Sequence, residues 1–320
     1  MNTNIKSRIL ILFFALCSFL LSAGFLGLEN LRFDEINWLL GSGDISNAQN
    51  GWTFFKNDSW HFPLGKNPNY GLDISNSIIF SDSIPILAFI FKIFKNFLSI
   101  NFQYFSFWIF ICFFFQFYFS YTIIYNNTNS IYFSLISSIF FIISPIFLYR
   151  LGIHLSLGAH WIILFAYYIN FCVEKKIKKY FWIFLLILST LIHLYFTAML
   201  FVIYSSLLVG DSIKNKKIIE PLTELCASLI LVLLLMYIFG YFEAPVMGAV
   251  SRGYGDFKLD LLSIIDPIIQ GGAGTWSNFL PDIKGTSLEG FNYFGLGQWA
   301  MYLFALILFQ LKVQDLRGLK

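Results

Sequence analysis

The sequence predicts an all-α bundle of about eight membrane crossings, one transmembrane domain over residues 1–320 with external juxtamembrane loops. Three observations lead there. Seven long stretches, Ile9–Leu28, Asn101–Tyr125, Ile131–Tyr149, Leu151–Val173, Tyr180–Gly210, Leu225–Phe242 and Tyr293–Leu311, contain no Asp, Glu, Lys or Arg. About 20 apolar residues of helix cross a hydrocarbon core of about 30 Å, so most of them are long enough. The chain is 58% hydrophobic and 20% aromatic but only 12% charged, whereas a soluble domain carries roughly a quarter charged residues. Finally, the basic residues sit between the stretches in clusters: Lys6 with Arg8, Lys175–Lys179, Lys214–Lys217, and Lys312, Arg317 and Lys320. Short loops carrying such clusters stay in the cytoplasm. The loops 29–75 and 244–292 are net acidic and belong outside.

The first stretch follows Lys6 and Arg8, with Ser22 and Ala23 as a small-residue cleavage site. It is longer than the 7–15 residues, roughly, of a signal-peptide core, which predicts an uncleaved first helix and a cytoplasmic N-terminus. Between the external loop 29–75 and the internal Lys175–Lys179 the chain must cross an odd number of times. The stretches beginning at Asn101, Ile131 and Leu151 supply three. Segment 77–98, with Asp82, Pro85, Lys92 and Lys95, is then re-entrant or interfacial, because those residues are costly in hydrocarbon. The alternative is an ordinary short crossing with its lysines at the cytoplasmic end.

Tyr180–Gly210 as one helix would extend about 46 Å and put two lysine clusters on opposite sides. A hairpin bent near His193–Thr197 avoids this and brings His193 to the external surface. The chain then ends inside. Cys17, Cys112, Cys172 and Cys226 all fall in apolar stretches without CxxC spacing, as small core residues do. A net charge of +3 with no basic stripe and no binding motif excludes nucleic acid as a partner.

Candidate chemistry collects on the external side. The first loop holds Asp34, Glu35 and Asp44, then Trp52, Trp60 and His61. Carboxylates at a membrane surface take protons from hydroxyls or hold a divalent cation; alternatively Asp44 caps a helix starting near Ser46. The aromatic residues anchor helices at the headgroups or line a sugar or lipid path. Asp82, just ahead of Pro85, reads first as a helix cap. Arg150 and His154 are four apart, so on a helix they share a face and suit a lipid phosphate. Snorkelling of Arg150 to headgroups is the plainer alternative. His160 and His193 read either as buried bridges between helices or as functional groups. In the last loop, Gly271-Gly272-Ala273-Gly274-Thr275-Trp276 follows no strand and opens no nucleotide-binding helix, which leaves Trp276 in an aromatic loop beside the membrane.

This layout resembles the GT-C membrane glycosyltransferases. The residues that carry the resemblance are Asp34, Glu35 and Asp44 after the first helix, the aromatic segment ending in Asp82-Ser83-Ile84-Pro85, the break from Ser144-Pro145 to Arg150 and His154, and the divided element around His193. Over nearly its whole length the chain also resembles a bacterial family of multi-pass proteins related to those enzymes. The resemblance implies transfer of a sugar from a polyprenyl-phosphate carrier to a glycan, lipid or protein acceptor in the cell envelope, on the external face of the bacterial inner (plasma) membrane. It implies an acidic residue of the first loop as base or metal ligand, best matched by Asp44 or Asp34. Arg150, His154 and His193 would meet the carrier phosphate. The chain stops just after its last helix, where that class continues, so it is expected to be a piece of a longer protein or a short member. A transporter or flippase of lipid-linked or small polar substrates is the alternative. That function places ionisable groups mid-helix, and the helix interiors here are almost wholly Phe, Ile and Leu.

Overall fold

The computed structural model describes residues 3–41, 43–71, 76–216, 218–243, 261–267 and 292–318. It is helical, with one two-stranded antiparallel ribbon, β1 (Lys66–Asn67) and β2 (Asn76–Ser77). The helices are α1 (Thr3–Leu26), α2 (Asp44–Asn57), α3 (Pro85–Ile93), α4 (Phe105–Thr128), α5 (Ile131–Ile142), α6 (Pro145–Ile153), α7 (Trp161–Cys172), α8 (Lys175–Thr190), α9 (Leu194–Asn215), α10 (Ile219–Phe239) and α11 (Leu296–Gly318). The chain divides into two units, one drawn from Met1–Ile142 and Arg150–Met247, the other from Ile143–Tyr149 and Gly248–Lys320.

Among the described residues, Arg8–Leu26, Phe105–Thr128, Leu194–Asn215 and Ile219–Phe239 are long and apolar enough to cross a membrane. The broken pair α5–α6 makes a fifth if read as one span, and Ser156–Cys172 and Leu296–Gln310 are shorter apolar helices. The apolar stretches are thus helices, and a membrane protein with several spans is the architecture they fit.

In the larger unit α4 is central, packing against α1, α5 and α7. Its side chains are mostly aromatic, so the packing runs through ring contacts: Phe14 with Phe117 at 4.6 Å, Phe115 with Trp161 at 4.8 Å, and Phe119 stacked on Phe165 at 4.6 Å. Aromatic pairs of this kind contribute about 0.5–1.5 kcal/mol each beyond burial.

Contacts also fix which ends lie together. Phe25 meets Phe113 while Phe14 meets Tyr121, so α1 and α4 run antiparallel. Trp108 Nε1 donates to Leu155 O at 2.6 Å, and Asn126 Nδ2 to Phe171 O at 3.2 Å, so α4 and α7 run parallel. Helices α8 and α9 form the hairpin expected of residues 180–210: Trp182 stacks on Tyr204 at 4.7 Å, and the break at residues 191–193 lies between them. Lys179 pairs with Glu224 at 3.3 Å, and the Tyr204 hydroxyl donates to Glu224, so this lysine-bearing end includes the start of α10. The opposite end gathers the exit of α1, the start of α4, residues 154–158, the break at 191–193 and the end of α10. Gly240, in the left-handed conformation at φ 85°, closes α10 there, its N–H bonded to Tyr237 O. That is the usual role of glycine past a helix C-terminus.

The helix within segment 77–98 is too short to cross a hydrocarbon core by itself. This helix, α3, has nine residues, about 13 Å, and packs on α2. Lys92 Nζ donates to Ser59 O at 3.1 Å and Lys95 Nζ to Asp58 O at 2.9 Å, which joins the segment to the first loop. Ile86 N donates to Leu191 O at 2.8 Å and Leu64 N to Ile238 O at 2.8 Å, seating both on the α9–α10 end.

Candidate functional site

Helix α2 begins at Asp44 itself, not near Ser46, so the carboxylate lies in the first turn, where the helix dipole favours a negative charge. Asp44 Oδ2 lies 3.1 Å from Nδ1 of His154, with Asp44 about half exposed and His154 mostly covered. An imidazole held through Nδ1 keeps Nε2 as its remaining polar atom.

Asp82 takes a different part from the helix cap its position suggests. The residue preceding α3 is Ile84, which makes no side-chain cap. Asp82 and Ile84 both have positive φ, 56° and 48°. A β-branched residue there is an outlier, and such backbone costs about 1–3 kcal/mol and clusters at functional sites. The reversal carries Asp82 across to the segment after α6. Its Oδ1 accepts hydrogen bonds from Ser156 Oγ and from Ser156 N, the latter at 3.3 Å. Oδ2 is sealed from solvent and has no hydrogen-bond partner among the described residues.

The turn that holds Asp82 is built from several directions. Ser83 Oγ donates to Ala48 O at 2.7 Å, Ser81 Oγ lies 2.8 Å from Ser83 Oγ, and the Tyr104 hydroxyl donates to Ser83 O. Gly51 of α2 faces this turn so closely that a Cβ there would collide with Ser81 Oγ and Cβ. Burial pushes the Asp82 carboxyl up to about 6, a rise the Ser156 hydrogen bonds and the nearby His154 oppose and Asp44 reinforces.

His193 completes the cluster from the break between α8 and α9. Its Nδ1 accepts from Tyr195 N at 3.2 Å, capping α9 and leaving the ring proton on Nε2. Burial, with His154 nearby, lowers its pKa to about 4, so it is a neutral donor at pH 7. Arg150, in the last turn of α6, is near enough for its charge to act on His160. Among the described residues no three His, Cys, Asp or Glu side chains are placed to hold a metal ion.

The remaining sequence candidates lie elsewhere. Asp34 forms a two-pronged pair with Arg32, at 2.8 and 3.1 Å, on the exposed surface, and Glu35 accepts from Asn37 N at 2.9 Å. Trp52 is fully buried, its indole N–H bonded to Phe102 O at 2.9 Å, which makes it a core residue. Trp60 stacks with Phe89, and His61 pairs with Asp58 at 3.3 Å. Trp276, with most of loop 244–292, lies outside the described residues. Ser156 was not foreseen. It lies 74 positions from Asp82, and no local pattern ties the two.

A family model described as "Domain of unknown function (DUF6311)" matches residues 15–319, and the chain belongs to that family. No curated protein and no solved structure matches it.

Proposed function

We propose that this member of the DUF6311 family is a membrane glycosyltransferase, moving a sugar from a polyprenyl-phosphate carrier to an acceptor on the outer face of a bacterial plasma membrane. One observation carries the reading. Asp44, Asp82, His154, Ser156 and His193 come from four separate segments and gather at the end of the bundle opposite Lys179. Basic clusters mark the cytoplasmic side, so the site faces out, in a chain that crosses eight times in a GT-C-like arrangement.

In this reading Asp82 is the base. The acceptor oxygen attacks the anomeric carbon, its proton passes to Asp82 Oδ2, which substrate binding must first uncover by opening the turn that seals it, and the bond from that carbon to the phosphate oxygen breaks, its electron pair leaving with the carrier. A carboxylate with a proton affinity near the working pH and one oxygen free suits that task, which is worth about 10²–10⁴ in rate. Ser156 fixes the other oxygen. Asp44 holds His154, which with Arg150 and the Nε2–H of His193 receives the phosphate and steadies its growing charge.

The test is purified protein in proteoliposomes given a radiolabelled polyprenyl-phosphate sugar and a panel of hydroxyl acceptors. Sugar appearing on an acceptor, with free carrier phosphate released in equal amount, is the expected result. Movement of the intact lipid-linked sugar across the bilayer without transfer would replace the enzyme with a transporter.

A further inference from the structure

The end of the 77–98 segment and the chain just after it are turned inside out by the standards of a protein in water. Ile93, Phe94, Phe97 and Ile100 are exposed, Phe97 and Ile100 by 88% and 91%, while Lys92 is exposed by only 1%. The lysine ammoniums point into the fold. Lys92 Nζ donates to Ser59 O and sits 3.7 Å from the centre of the Phe55 ring and 4.6 Å from that of Trp60. Lys95 Nζ donates to Asp58 O, and Lys56 Nζ donates to Ile100 O at 2.6 Å and Ser99 O at 3.1 Å.

Lysine normally keeps its charge in water and covers apolar surface with its stem. Three lysines bonded to carbonyls beneath an apolar tip reverse that preference, and the reversal is favourable where the surrounding medium is hydrocarbon. The position agrees. Ile100 is five residues before Phe105, the first residue of the span α4. Gln103 N donates to Phe33 O at 2.8 Å and Gln103 Nε2 to Arg32 O at 2.7 Å, which ties this stretch to the chain leaving α1. The tip therefore sits where two spans meet the membrane surface.

We infer that residues 93–100 form a lipid anchor, with Ile93, Phe94, Phe97 and Ile100 inserted at the boundary between phospholipid headgroups and acyl chains, and Lys56, Lys92 and Lys95 withdrawn onto backbone carbonyls so that the tip enters without charge. An interfacial segment of this kind buries its apolar face about 5–10 Å deep. The anchor does not depend on the glycosyltransferase reading.

The experiment uses the full chain with its four native cysteines replaced, reconstituted in phosphatidylcholine–phosphatidylglycerol vesicles. Single cysteines at Phe97, Ile93 and, as a water-facing control, Asn50 are spin-labelled. Collision with oxygen, which partitions into lipid, is compared with collision with a water-soluble nickel chelate. The oxygen-to-nickel ratio at 93 and 97 should exceed that at 50 several-fold, and the depth should be shallow. All three sites are exposed, so labelling leaves the packing intact. Equal ratios at 97 and 50 would place the tip in water. Loss of both collisions would mean that protein, such as a second copy, covers it, and a depth near the bilayer centre would mean a crossing. Each of these outcomes overturns the anchor.

Discussion

Replacing Asp82 with Asn isolates the cost of burying its charge. The side chain keeps its size, and Asn is among the few residues enriched at positive φ, so the backbone at φ 56° accepts it. Burial raises the Asp82 carboxyl to about 6 from an ordinary 3.8. Because the folded value is the higher one, the folded state binds the proton more tightly. The wild type therefore loses stability as pH rises from 3.8 through about 6, and the loss persists above. At about 1.4 kcal/mol per pH decade the full effect is about 3 kcal/mol. The uncharged variant escapes it.

Equilibrium unfolding in mixed micelles from about pH 4 to about pH 7.5 measures this. Subtracting wild type from variant cancels His193, whose lowered value makes stability rise with pH between about 4 and 6.5. The difference should be small at the acid end and grow to about 3 kcal/mol in favour of Asn at neutral pH. A variant that is less stable than wild type at neutral pH, or a difference flat across the range, would refute the buried, charge-strained Asp82. The same variant should be inactive, as expected where a functional group is held at a cost to stability.

Other outcomes follow from the same geometry. Gly51→Ala should destabilise by about 1–3 kcal/mol, as overpacking does, and reduce turnover by displacing the Ser81–Ser83 turn; unchanged chemical unfolding would contradict the close approach. Asp44→Asn should cost less than about 1 kcal/mol, since its pair with His154 is half exposed, yet lower activity well beyond that, a split visible by comparing unfolding with initial rates. A cysteine at Asn47 should react with a membrane-impermeant thiol reagent on intact cells and one at Ile177 should not, and labelling at 177 from outside would reverse the assigned sidedness.

Much of the helical plan was legible because its cause is local. A run without charge must be helical to satisfy its backbone in lipid, and the hairpin at 180–210 followed from keeping two lysine clusters on the same side of the membrane. The break falls at 191–193, beside the expected bend. The short α3 was legible through Asp82, Lys92 and Lys95. The site was less so. Asp34, Glu35 and Asp44 look alike in sequence, and only packing separates them: Arg32 lies two residues from Asp34 and takes it, whereas His154 reaches Asp44 from 110 positions away. Asp82 read as a cap because Asp before Pro commonly is one. Its true partner depends on two positive-φ residues that reverse the chain, and a β-branched residue such as Ile84 does not signal such backbone.

Single-turnover transfer from a preloaded polyprenyl-phosphate sugar, compared between wild type and Asp82→Asn with carrier binding measured on the same samples, separates proton transfer at Asp82 from substrate binding. Binding should be equal and the transfer rate reduced by at least about a hundredfold in the variant. Transfer at the wild-type rate by Asp82→Asn would contradict Asp82 as the base.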